Sequence, residues 1–453
     1  MSSGSFTEIM TYNTFKKKTI GVISLGCDKN RVDTEKMLAI LGSDKITQEK
    51  EEAEIIIVNS CAFLESSRKE AIETVLEINE LRKNGKLEKI ILTGCMPQKF
   101  VNDMFDEFTE VDVFLGTADY ELLPEAIELA YRGERVNFVG KAKEFRNEKR
   151  VVTTPLHYAY LKIADGCDNH CTYCLIPSIR GKYRSEKKED LIEEAKALGD
   201  VKELILVAQD ITRYGEDLYG ENKLVGFLKS LTELDNIHSV RLLYCYPEKI
   251  TDELIAEIKN NKKIIKYLDI PLQHSSPEVL KRMNRQGTGE GYLRLFDKLR
   301  GEIPDIAIRS TFIAGFPGET EEQFENLVEF IKTAKLTNAG FFAYSREEGT
   351  PAYKLSGQID EDVKEARVKK LYETQKKVSR ERNKGCIGKT LEVLCDGVDY
   401  EKQSFYGRAY FSAPEIDGKV YFTCNGEIRQ GEYYNVKIEK ADAYDLYGEA
   451  TEA

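Results

Sequence analysis

Three cysteines in one short segment, Cys167, Cys171 and Cys174, are the residues whose types and spacing most directly indicate chemistry. Their C-x3-C-x2-C spacing follows the apolar residues 158–164, which predict a strand. Thiolates this close in a loop can converge on one soft metal centre, because cysteine sulfur favours iron–sulfur clusters and zinc. Three ligands leave one iron of a four-iron cubane open, whereas a structural zinc site requires a fourth protein ligand. We therefore predict an iron–sulfur cluster, with an incomplete zinc knuckle or buried thiols as the alternatives.

The C-x3-C-x2-C spacing after a first strand resembles the signature of radical S-adenosylmethionine (SAM) enzymes. The resemblance implies that Cys167, Cys171 and Cys174 hold a 4Fe–4S cluster whose open iron binds the amino and carboxylate groups of SAM. It also implies that one electron cleaves SAM to methionine and a deoxyadenosyl radical, which abstracts hydrogen from an unactivated carbon. In such enzymes the cofactor carries the hard chemistry, and the protein supplies position and shielding.

Length, charge and cysteine content favour a multidomain protein that binds metal or is an enzyme. At 453 residues the chain is long for one core, so about three domains are expected. No run approaches the ~18 apolar residues of a membrane span, and residues 1–18 lack the apolar core of a signal peptide, so we expect a cytoplasmic protein without membrane association. Ten cysteines in such a protein indicate metal binding or catalysis rather than disulfides. The formal net charge of -12 disfavours a phosphate-binding protein and suits a basic partner.

The first domain is predicted at residues 18–135, where short β-branched runs alternate with helical segments. Such alternation predicts an α/β domain with a parallel sheet and crossover helices. The predicted strands cover residues 19–25, 53–58, 89–92 and 111–115, and the predicted helices cover residues 32–41 and 65–83.

A cysteine follows each of the first three predicted strands: Cys27, Cys61 and Cys95, at equal intervals of 34 residues. The carboxyl ends of the strands form the ligand crevice of an open parallel sheet, so we expect these thiols on one edge although they are remote in sequence. Small residues beside each cysteine would let backbone amides approach cluster sulfides. The alternative is that each cysteine is simply a small core residue.

These three segments, followed by C-x3-C-x2-C, resemble the methylthiotransferases, a branch of the radical SAM enzymes. The resemblance covers nearly the whole chain. In that family the amino-terminal domain holds a second 4Fe–4S cluster through three cysteines, and the matching positions here are Cys27, Cys61 and Cys95. The resemblance therefore implies two 4Fe–4S clusters and SAM as cofactors.

The second domain is predicted at residues 150–384, where six strand candidates alternate with amphipathic helices. Six βα units are too few for a complete eight-stranded barrel. They match the partial (β/α)6 barrel of the radical SAM core, which leaves a lateral opening for a large substrate. The predicted strands cover residues 158–164, 203–208, 240–245, 266–271, 306–313 and 340–344, and the predicted helices include residues 189–198, 224–234 and 252–259.

A glycine-rich turn at Gly315 and Gly318 follows the fifth of these strands. Alone it indicates only a tight turn, and Thr320 with Gln323 predicts a helix capping box that explains the local polarity without any ligand. By resemblance, Tyr173 is placed to touch the adenine of SAM. The residues that the resemblance assigns to the SAM site are Tyr173, Gln209, Asp210, Gly315 and Gly318.

Residues 385–453 change to strand-like alternation after a long charged helix predicted at residues 360–384. About five short strands in this stretch predict a small β-barrel, which resembles the TRAM domain, a substrate-recruiting module. The predicted strands cover residues 390–394, 405–411, 419–422 and 434–438. The remaining cysteines and three histidines lack ligand spacing and are expected to be structural: Cys245, Cys386, Cys395, Cys424, His157, His238 and His274.

The charge of the last domain bears on the substrate, because one subgroup of methylthiotransferases acts on tRNA adenosine and another on a ribosomal protein. Residues 385–453 carry 7 Lys+Arg against 13 Asp+Glu. Such an acidic module is a poor clamp for phosphates, but it can engage a strongly basic ribosomal protein by complementary potential. Residues 24–33, 269–276 and 443–448 also resemble the protein-modifying subgroup, with Asp28 where proline is common.

The resemblance implies transfer of a methylthio group to the β-carbon of an aspartate in protein 12 of the small ribosomal subunit. One SAM molecule would methylate a sulfide at the amino-terminal cluster, and a second would be split at the cluster of the C-x3-C-x2-C segment. No side-chain general base is required, so the six cysteines are the predicted functional residues. A reducing electron donor such as flavodoxin or ferredoxin is expected as a partner, and direct tRNA binding is not.

Three alternatives to this hypothesis differ in substrate or class. A tRNA adenosine methylthiotransferase would share the architecture and the chemistry. A zinc-stabilised RNA-binding protein without enzymatic activity would use the cysteines structurally. A nucleotide-binding oxidoreductase is disfavoured, because no Gly-x-Gly-x-x-Gly follows the first strand.

Overall fold

The computed structural model describes residues 15–42, 45–141 and 149–451 of the chain. This part of the chain divides into two compact units. The first comprises the residues up to Thr153 together with Ser178–Arg180, and the second comprises Thr154–Pro177 and the residues from Gly181 onwards. Among the described residues, no helix has both the length and the apolar character needed to cross a membrane.

The first unit is built on one parallel sheet. Its strands are β1 Ile20–Ser24, β2 Ile46–Thr47, β3 Ile55–Ser60, β4 Lys89–Gly94, β5 Val113–Phe114 and β6 Val136–Asn137. They lie in the order β2-β1-β3-β4-β5-β6, and every neighbouring pair is parallel. The four predicted strands are confirmed close to their predicted ends, whereas the two-residue edge strands β2 and β6 were not predicted.

Helices cover both faces of this sheet. They are α1 Asp28–Leu41, α2 Glu65–Asn79, α3 Leu81–Asn84, α4 Cys95–Met104 and α5 Leu123–Tyr131. Ile55 and Ile57 pack in a core with α1 and α5, and Ile56 and Val58 pack in a second core with α2 and α4, because successive strand residues point to opposite faces. The single helix predicted at residues 65–83 is divided between α2 and α3.

The second unit begins with a larger set of strands: β7 Tyr158–Lys162, β8 Ala164–Asp165, β9 Arg184–Ser185, β10 Glu203–Val207, β11 Val240–Leu242, β12 Ile264–Asp269, β13 Ala307–Ala314 and β14 Asn338–Ala343. The short strands β8 and β9 pair with each other in antiparallel fashion. The other six form one parallel sheet in the order β14-β13-β12-β11-β10-β7. These six are the predicted strands, so the predicted six βα units are confirmed.

The two faces of this six-stranded sheet differ in chemistry. Helix α6 Ile176–Arg180 is divided, since its last three residues belong to the first unit. The helices of the second unit are α7 Lys188–Ala197, α8 Glu216–Tyr219, α9 Leu224–Thr232, α10 Asp252–Asn260, α11 Pro277–Arg282, α12 Gly289–Glu302, α13 Glu321–Ala334 and α14 Glu361–Lys384. Leu204 and Leu206 of β10 belong to the large apolar core that includes helix residues. On the other face lie buried polar side chains, among them Glu203 and Arg241.

A closed β-barrel completes the second unit. Its strands are β15 Thr390–Asp399, β16 Ser404–Arg408, β17 Val420–Thr423, β18 Tyr433–Ala441 and β19 Leu446–Ala450. They close in the order β15-β16-β17-β19-β18. The predicted architecture is therefore confirmed: an α/β chain with a parallel-sheet domain, a partial six-unit barrel and a small carboxy-terminal β-barrel.

The segment 409–417 between β16 and β17, here called the floor segment, contacts the polar face of the six-stranded sheet. Asp417 accepts a hydrogen bond from Tyr267 Oη at 2.7 Å, and its Oδ1 lies 3.4 Å from Arg309 Nε. Its side chain is only 2% exposed, so these contacts are shielded from water. The small β-barrel is therefore an integral part of the second unit.

Candidate functional site

The carboxyl edge of the first sheet brings together the three cysteines of the first unit. Cys27 follows β1, Cys61 follows β3, and Cys95 begins α4 directly after β4. The strands β1, β3 and β4 are neighbours in the sheet. Burial raises the pKa of the Cys95 thiol to about 12, Arg180 opposes the rise, and Cys27 and Cys61 add to it. The three thiols predicted to converge are thus within electrostatic reach of one another.

Two glycines let the cysteine loops approach closely. A Cβ added at Gly26, where φ is 96°, would lie 2.8 Å from Cys61 Cβ. A Cβ added at Gly94, where φ is 94°, would lie 2.3 Å from Asn59 Oδ1 and 2.6 Å from the Ser60 carbonyl oxygen. A side chain is excluded at both positions by backbone conformation and by space. The small residues seen beside the cysteines in the sequence therefore serve the packing of these loops.

The C-x3-C-x2-C segment lies between β8 and α6 and is docked on the end of α11. Thr172 donates its backbone N–H to the Met283 carbonyl oxygen (3.0 Å) and its hydroxyl to the Arg282 carbonyl oxygen (2.8 Å). Asn284 Nδ2 donates to the His170 carbonyl oxygen (3.0 Å). These bonds hold the loop through its backbone and the hydroxyl of Thr172.

The three thiols of this segment share a buried environment. Cys167 and Cys171 are 7% and 6% exposed. Burial raises the pKa of Cys174 to about 12; the backbone N–H of Ile176 opposes the rise, and Cys171 and Cys167 add to it. Backbone N–H groups of Asn169 and Ile176 lie 3.5 and 3.4 Å from the Cys167 and Cys174 sulfurs. Such donors tune sulfurs that ligate an iron–sulfur cluster.

The donor chemistry of the two cysteine groups fits a multi-iron cluster. Burial raises the pKa of Cys61, Cys95, Cys167 and Cys174, so these thiols stay protonated at neutral pH unless a metal offsets the charge. The thiolate is the form that binds metal, and a cubane places each thiolate on a different iron. Within the described ranges, no three His, Cys, Asp or Glu side chains have the spacing of ligands to a single metal ion.

The predicted SAM contacts divide between two places, and the first is a small aromatic core. Tyr173 packs against the cluster of buried residues that contains Phe316 and Tyr344. The rings of Phe316 and Tyr344 lie 5.2 Å apart, edge to face. Since Phe316 follows Gly315, the fold brings the cysteine segment and the glycine turn together.

Glu319 shapes the glycine turn. Its carboxylate accepts hydrogen bonds from the backbone N–H groups of Gly315 and Phe316, the latter at 3.0 Å, and the residue is 4% exposed. The predicted capping box is confirmed: Thr320 Oγ1 accepts from Gln323 N (3.2 Å) and Gln323 Oε1 accepts from Thr320 N (3.1 Å), and α13 begins there. The turn is therefore held by hydrogen bonds to side chains of the protein itself.

Gln209 and Asp210 lie in a polar network at the end of β10. Gln209 Nε2 donates to Asp165 Oδ1 (3.2 Å), and its buried Oε1 has no hydrogen-bond partner among the described residues. Asp210 accepts from Thr212 N (3.0 Å) and from Asn169 Nδ2 (3.2 Å). Burial raises the pKa of Asp210. Because Asn169 belongs to the cysteine segment, the network ties that segment to the sheet.

A pocket of about 400 Å³ opens beside this network. The glycine turn and Gln209 do not line it. Its walls carry both signs of charge, which suits a ligand that is itself a zwitterion. The charged and aromatic lining residues are Asp168, Asp210, Arg213, Tyr246 and Arg285.

Arg285 is the residue of this pocket that sequence analysis missed. Its guanidinium is stacked 4.1 Å over the ring of Tyr246, and Nη2 donates to the Pro271 carbonyl oxygen (2.5 Å). The side chain is buried, yet Nε and Nη1 have no hydrogen-bond partner among the described residues. Unmatched buried donors are rare, so Arg285 has charged N–H groups left to donate to an anion. Tyr246 Oη lies 3.9 Å from Cys171 Sγ, which places the Arg285 guanidinium close to the cysteine segment.

Two of the histidines predicted to be structural lie beside carboxylates. His157 Nε2 lies 2.8 Å from Asp396, and His238 Nε2 lies 2.6 Å from Asp200. His274 is fully buried. The remaining cysteines are buried or half-buried: Cys245, Cys386, Cys395 and Cys424.

Comparison with known families matches three parts of the chain. The description "Radical SAM superfamily" matches residues 161–331, "Uncharacterized protein family UPF0004" matches residues 19–116, and "TRAM domain" matches residues 387–451. Together with the fold and the buried cysteine segment, these matches define a radical SAM enzyme. The domain boundaries predicted from the sequence remain predictions.

Curated relatives are similar over almost the whole chain. "Ribosomal protein uS12 methylthiotransferase RimO" of Acetivibrio thermocellus is 46% identical over 446 residues, 96% of this chain and 98% of the relative. The protein of the same name from Caldanaerobacter subterraneus subsp. tengcongensis is 47% identical over 438 residues, 95% of this chain and 100% of the relative. The chain therefore belongs to the RimO family of methylthiotransferases. Membership implies SAM and a 4Fe–4S cluster as cofactors.

A solved structure shares the fold at much lower identity. The cobalamin-dependent S-adenosylmethionine radical enzyme OxsB, with aqua-cobalamin bound, superposes with a TM-score of 0.50 at 12% identity. The match covers 80% of this chain and 57% of that chain. At this identity the likeness concerns the fold alone.

Proposed function

We propose that this chain adds a methylthio group to the β-carbon of an aspartate in small-subunit ribosomal protein uS12. The observation that carries the proposal is near full-length similarity to uS12 methylthiotransferases. The C–H bond at that carbon is not acidic enough for ordinary base chemistry, so the reaction requires a radical. In this proposal the radical is formed at the cysteine segment beside the pocket.

Two groups of three cysteines hold two 4Fe–4S clusters in this proposal. Cys167, Cys171 and Cys174 hold the cluster of the radical SAM reaction, and the cysteines at the edge of the first sheet hold the second: Cys27, Cys61 and Cys95. The burial and donor set of both groups support this assignment. When bound, clusters and SAM supply the electron transfer and the radical chemistry.

Residues of the pocket, of the neighbouring polar network and of the glycine turn together bind and orient SAM. Arg285 donates to the carboxylate of SAM, since its buried Nε and Nη1 have no hydrogen-bond partner among the described residues. The partnerless Oε1 of Gln209 accepts a hydrogen bond from the ammonium group. Tyr173 and the turn at Gly315 and Gly318 line the rest of the SAM site and shield it from water.

The basic ribosomal protein fits the acidic character of the carboxy-terminal β-barrel. With 7 Lys+Arg against 13 Asp+Glu in residues 385–453, this module attracts a cationic partner and repels phosphates. Direct tRNA binding is therefore not part of the proposal. The reaction takes place in the cytoplasm and draws its electrons from a reducing protein such as flavodoxin or ferredoxin.

Mass spectrometry of a deletion strain tests the substrate. We expect uS12 from the strain that lacks this chain to lose the mass of one methylthio group at an aspartate, and to regain it on complementation. The tRNA of the same strain is measured in parallel. If only a tRNA adenosine loses the methylthio mass, the substrate is wrong although the chemistry is right.

Anaerobic iron and sulfide analysis tests the two clusters. The wild-type chain should carry about eight irons, and Cys27→Ala and Cys171→Ala should each lose about four while the other cluster remains. Cys424→Ala, which removes a half-buried cysteine outside both groups, is the matched control and should lose none. Joint loss of all iron in either variant, or zinc in place of iron, contradicts the assignment.

A further inference from the structure

The carboxamide of Asn30, in the first turn of α1, lies among the cysteine loops of the first unit. It is fully buried, and its Nδ2 donates to the carbonyl oxygens of Leu25 (3.0 Å) and Ser60 (3.1 Å). Its Oδ1 lies 3.9 Å from Cys27 Sγ and 3.8 Å from Cys95 Sγ. One side chain therefore joins the loop after β1 to the end of β3 and touches two of the three thiols.

A guanidinium fixes the free end of this carboxamide. Arg180 Nη2 donates to Asn30 Oδ1 at 2.7 Å and lies 3.0 Å from Asp33 Oδ2. The Arg180 and Asp33 side chains are each 1% exposed, and both residues belong to the first unit. Since Nδ2 of Asn30 already has two carbonyl acceptors, the amide cannot turn over without losing three hydrogen bonds. Oδ1 is thus held between the guanidinium and the thiols.

We propose that Arg180 is a positioning residue for the amino-terminal cluster, where it orients the cysteine loops through Asn30 and places a permanent positive charge beside the cluster. The inference rests on the second cluster of the proposed function. It adds a role for two residues that are not themselves ligands.

The physical reason lies in the charge of a thiolate-bound cluster. Such a cluster is anionic, and a buried anion is costly unless a cation lies nearby. A guanidinium keeps its proton at every physiological pH, so its charge is constant. Reduction adds a further negative charge, and Arg180 is bonded to the same Asn30 oxygen that contacts the thiols, so its positive charge raises the potential of the cluster. The carboxylate of Asp33 offsets part of this effect.

The test is a redox titration of the amino-terminal cluster in a variant that cannot hold the other cluster. The full-length chain carries alanine at Cys167, Cys171 and Cys174, so that only the amino-terminal cluster contributes. In this background we compare Arg180→Gln with Arg180→Lys, and follow iron content together with the midpoint potential by electron paramagnetic resonance. Arg180→Gln should lower the reduction equilibrium constant at least tenfold, which is about 59 mV for one electron. Arg180→Lys, which keeps the charge, should shift it by less.

Two further variants separate charge from architecture. Asn30→Asp adds an anion where Oδ1 now lies, so its potential should fall at least as far as that of Arg180→Gln. Lys50→Gln removes an exposed cation of the first unit that pairs with Glu77, and should leave the potential unchanged. Iron lost from Arg180→Gln but retained by Arg180→Lys also supports the proposal, because the charge is then needed for assembly.

Two results overturn the inference. A full complement of iron with an unchanged potential in Arg180→Gln means that the guanidinium has no influence on the cluster. Equal loss of iron from Arg180→Gln and Arg180→Lys means that the charge is not what matters. Failure of the proposed function has a different signature: the alanine background, with Arg180 intact, would then contain no iron at all.

Discussion

Glu203, the first residue of β10, and Arg408, the last residue of β16, form a buried ion pair with 2.5 Å between Oε2 and Nη1. Their side chains are 3% and 4% exposed. The other carboxylate oxygen of Glu203 receives Arg241 Nε, also at 2.5 Å. One carboxylate therefore holds two guanidiniums, and one of them belongs to the carboxy-terminal β-barrel.

Replacement of Glu203 by glutamine should destabilise the protein strongly. The shape is kept, but Arg241 and Arg408 lose the charge that matches them, and breaking a buried pair in this way costs about 3–5 kcal/mol. The free energy of unfolding is measured by urea denaturation of the anaerobically purified chain. Glu77→Gln removes an exposed partner of Lys50, and should leave the free energy of unfolding almost unchanged because water screens this pair. Equal effects of the two substitutions would contradict the buried network.

The same pair predicts a dependence of stability on pH. Burial raises the pKa of Glu203, but Arg241 and Arg408 outweigh burial and hold this pKa below its ordinary value. Such a carboxylate contributes stability that is complete above its unfolded pKa and is lost as the pH falls through the folded pKa. The Tm difference between wild type and Glu203→Gln should therefore be largest near neutrality and shrink below about pH 4.3, the unperturbed value for glutamate. A difference that stays constant from neutral to acidic pH would exclude this origin.

Two glycines of the second unit form a matched pair for testing the cysteine segment. Gly166 and Gly220 have nearly the same φ, 77° and 76°. A Cβ at Gly166 would lie 2.1 Å from the Lys182 carbonyl oxygen, whereas a Cβ at Gly220 meets nothing within 4 Å. Gly220→Ala should cost only the ~1–2 kcal/mol of a left-handed alanine. Gly166→Ala must displace the loop that carries Cys167, and should lose about four irons per chain in iron analysis.

Arg285 predicts a specific loss of SAM affinity. A charge-assisted hydrogen bond contributes about 1.5–3 kcal/mol, so Arg285→Gln should weaken SAM binding by roughly 10- to 150-fold. Arg285→Lys should recover part of the loss, because the ammonium group keeps the positive charge but not the planar shape of the guanidinium. Affinity is measured by equilibrium dialysis of the reconstituted protein, with iron content as the check on folding. Lys281→Gln, an exposed cation on the same pocket, is the control, and an equal loss there would argue against a dedicated carboxylate site.

Much of the fold could be predicted because strands buried on both faces appear as continuous β-branched runs. Ile55–Ser60 is fully buried and begins with three isoleucines and a valine. The edge strands β2 and β6 could not be predicted, since two residues carry no periodicity and their pairing depends on the sheet they join. Helix α4 was missed because it begins at Cys95, in a stretch that looks like a ligand loop.

The residues of the candidate sites also divide into those that could be predicted from the sequence and those that could not. The C-x3-C-x2-C spacing is local and visible, and the order of strands predicted that Cys27, Cys61 and Cys95 would meet. Arg285 and Asn30 carry no such mark. Their importance comes from what the fold places around them, a pocket wall in one case and three converging loops in the other.

The floor segment has a consequence for protein engineering. Asp417 lies beside Arg309, and Arg408, just before this segment, lies beside Glu203. Buried ion pairs therefore join the carboxy-terminal β-barrel to the six-stranded sheet, in addition to the peptide chain. A hybrid protein that takes this β-barrel from a distant relative would leave Arg309 and Glu203 buried without one of their partners of opposite charge, unless the new β-barrel supplies it. The six-stranded partial barrel and the carboxy-terminal β-barrel should therefore be exchanged between relatives as one piece. A change of substrate preference is better made in the exposed loops of that piece than by exchange of the β-barrel alone.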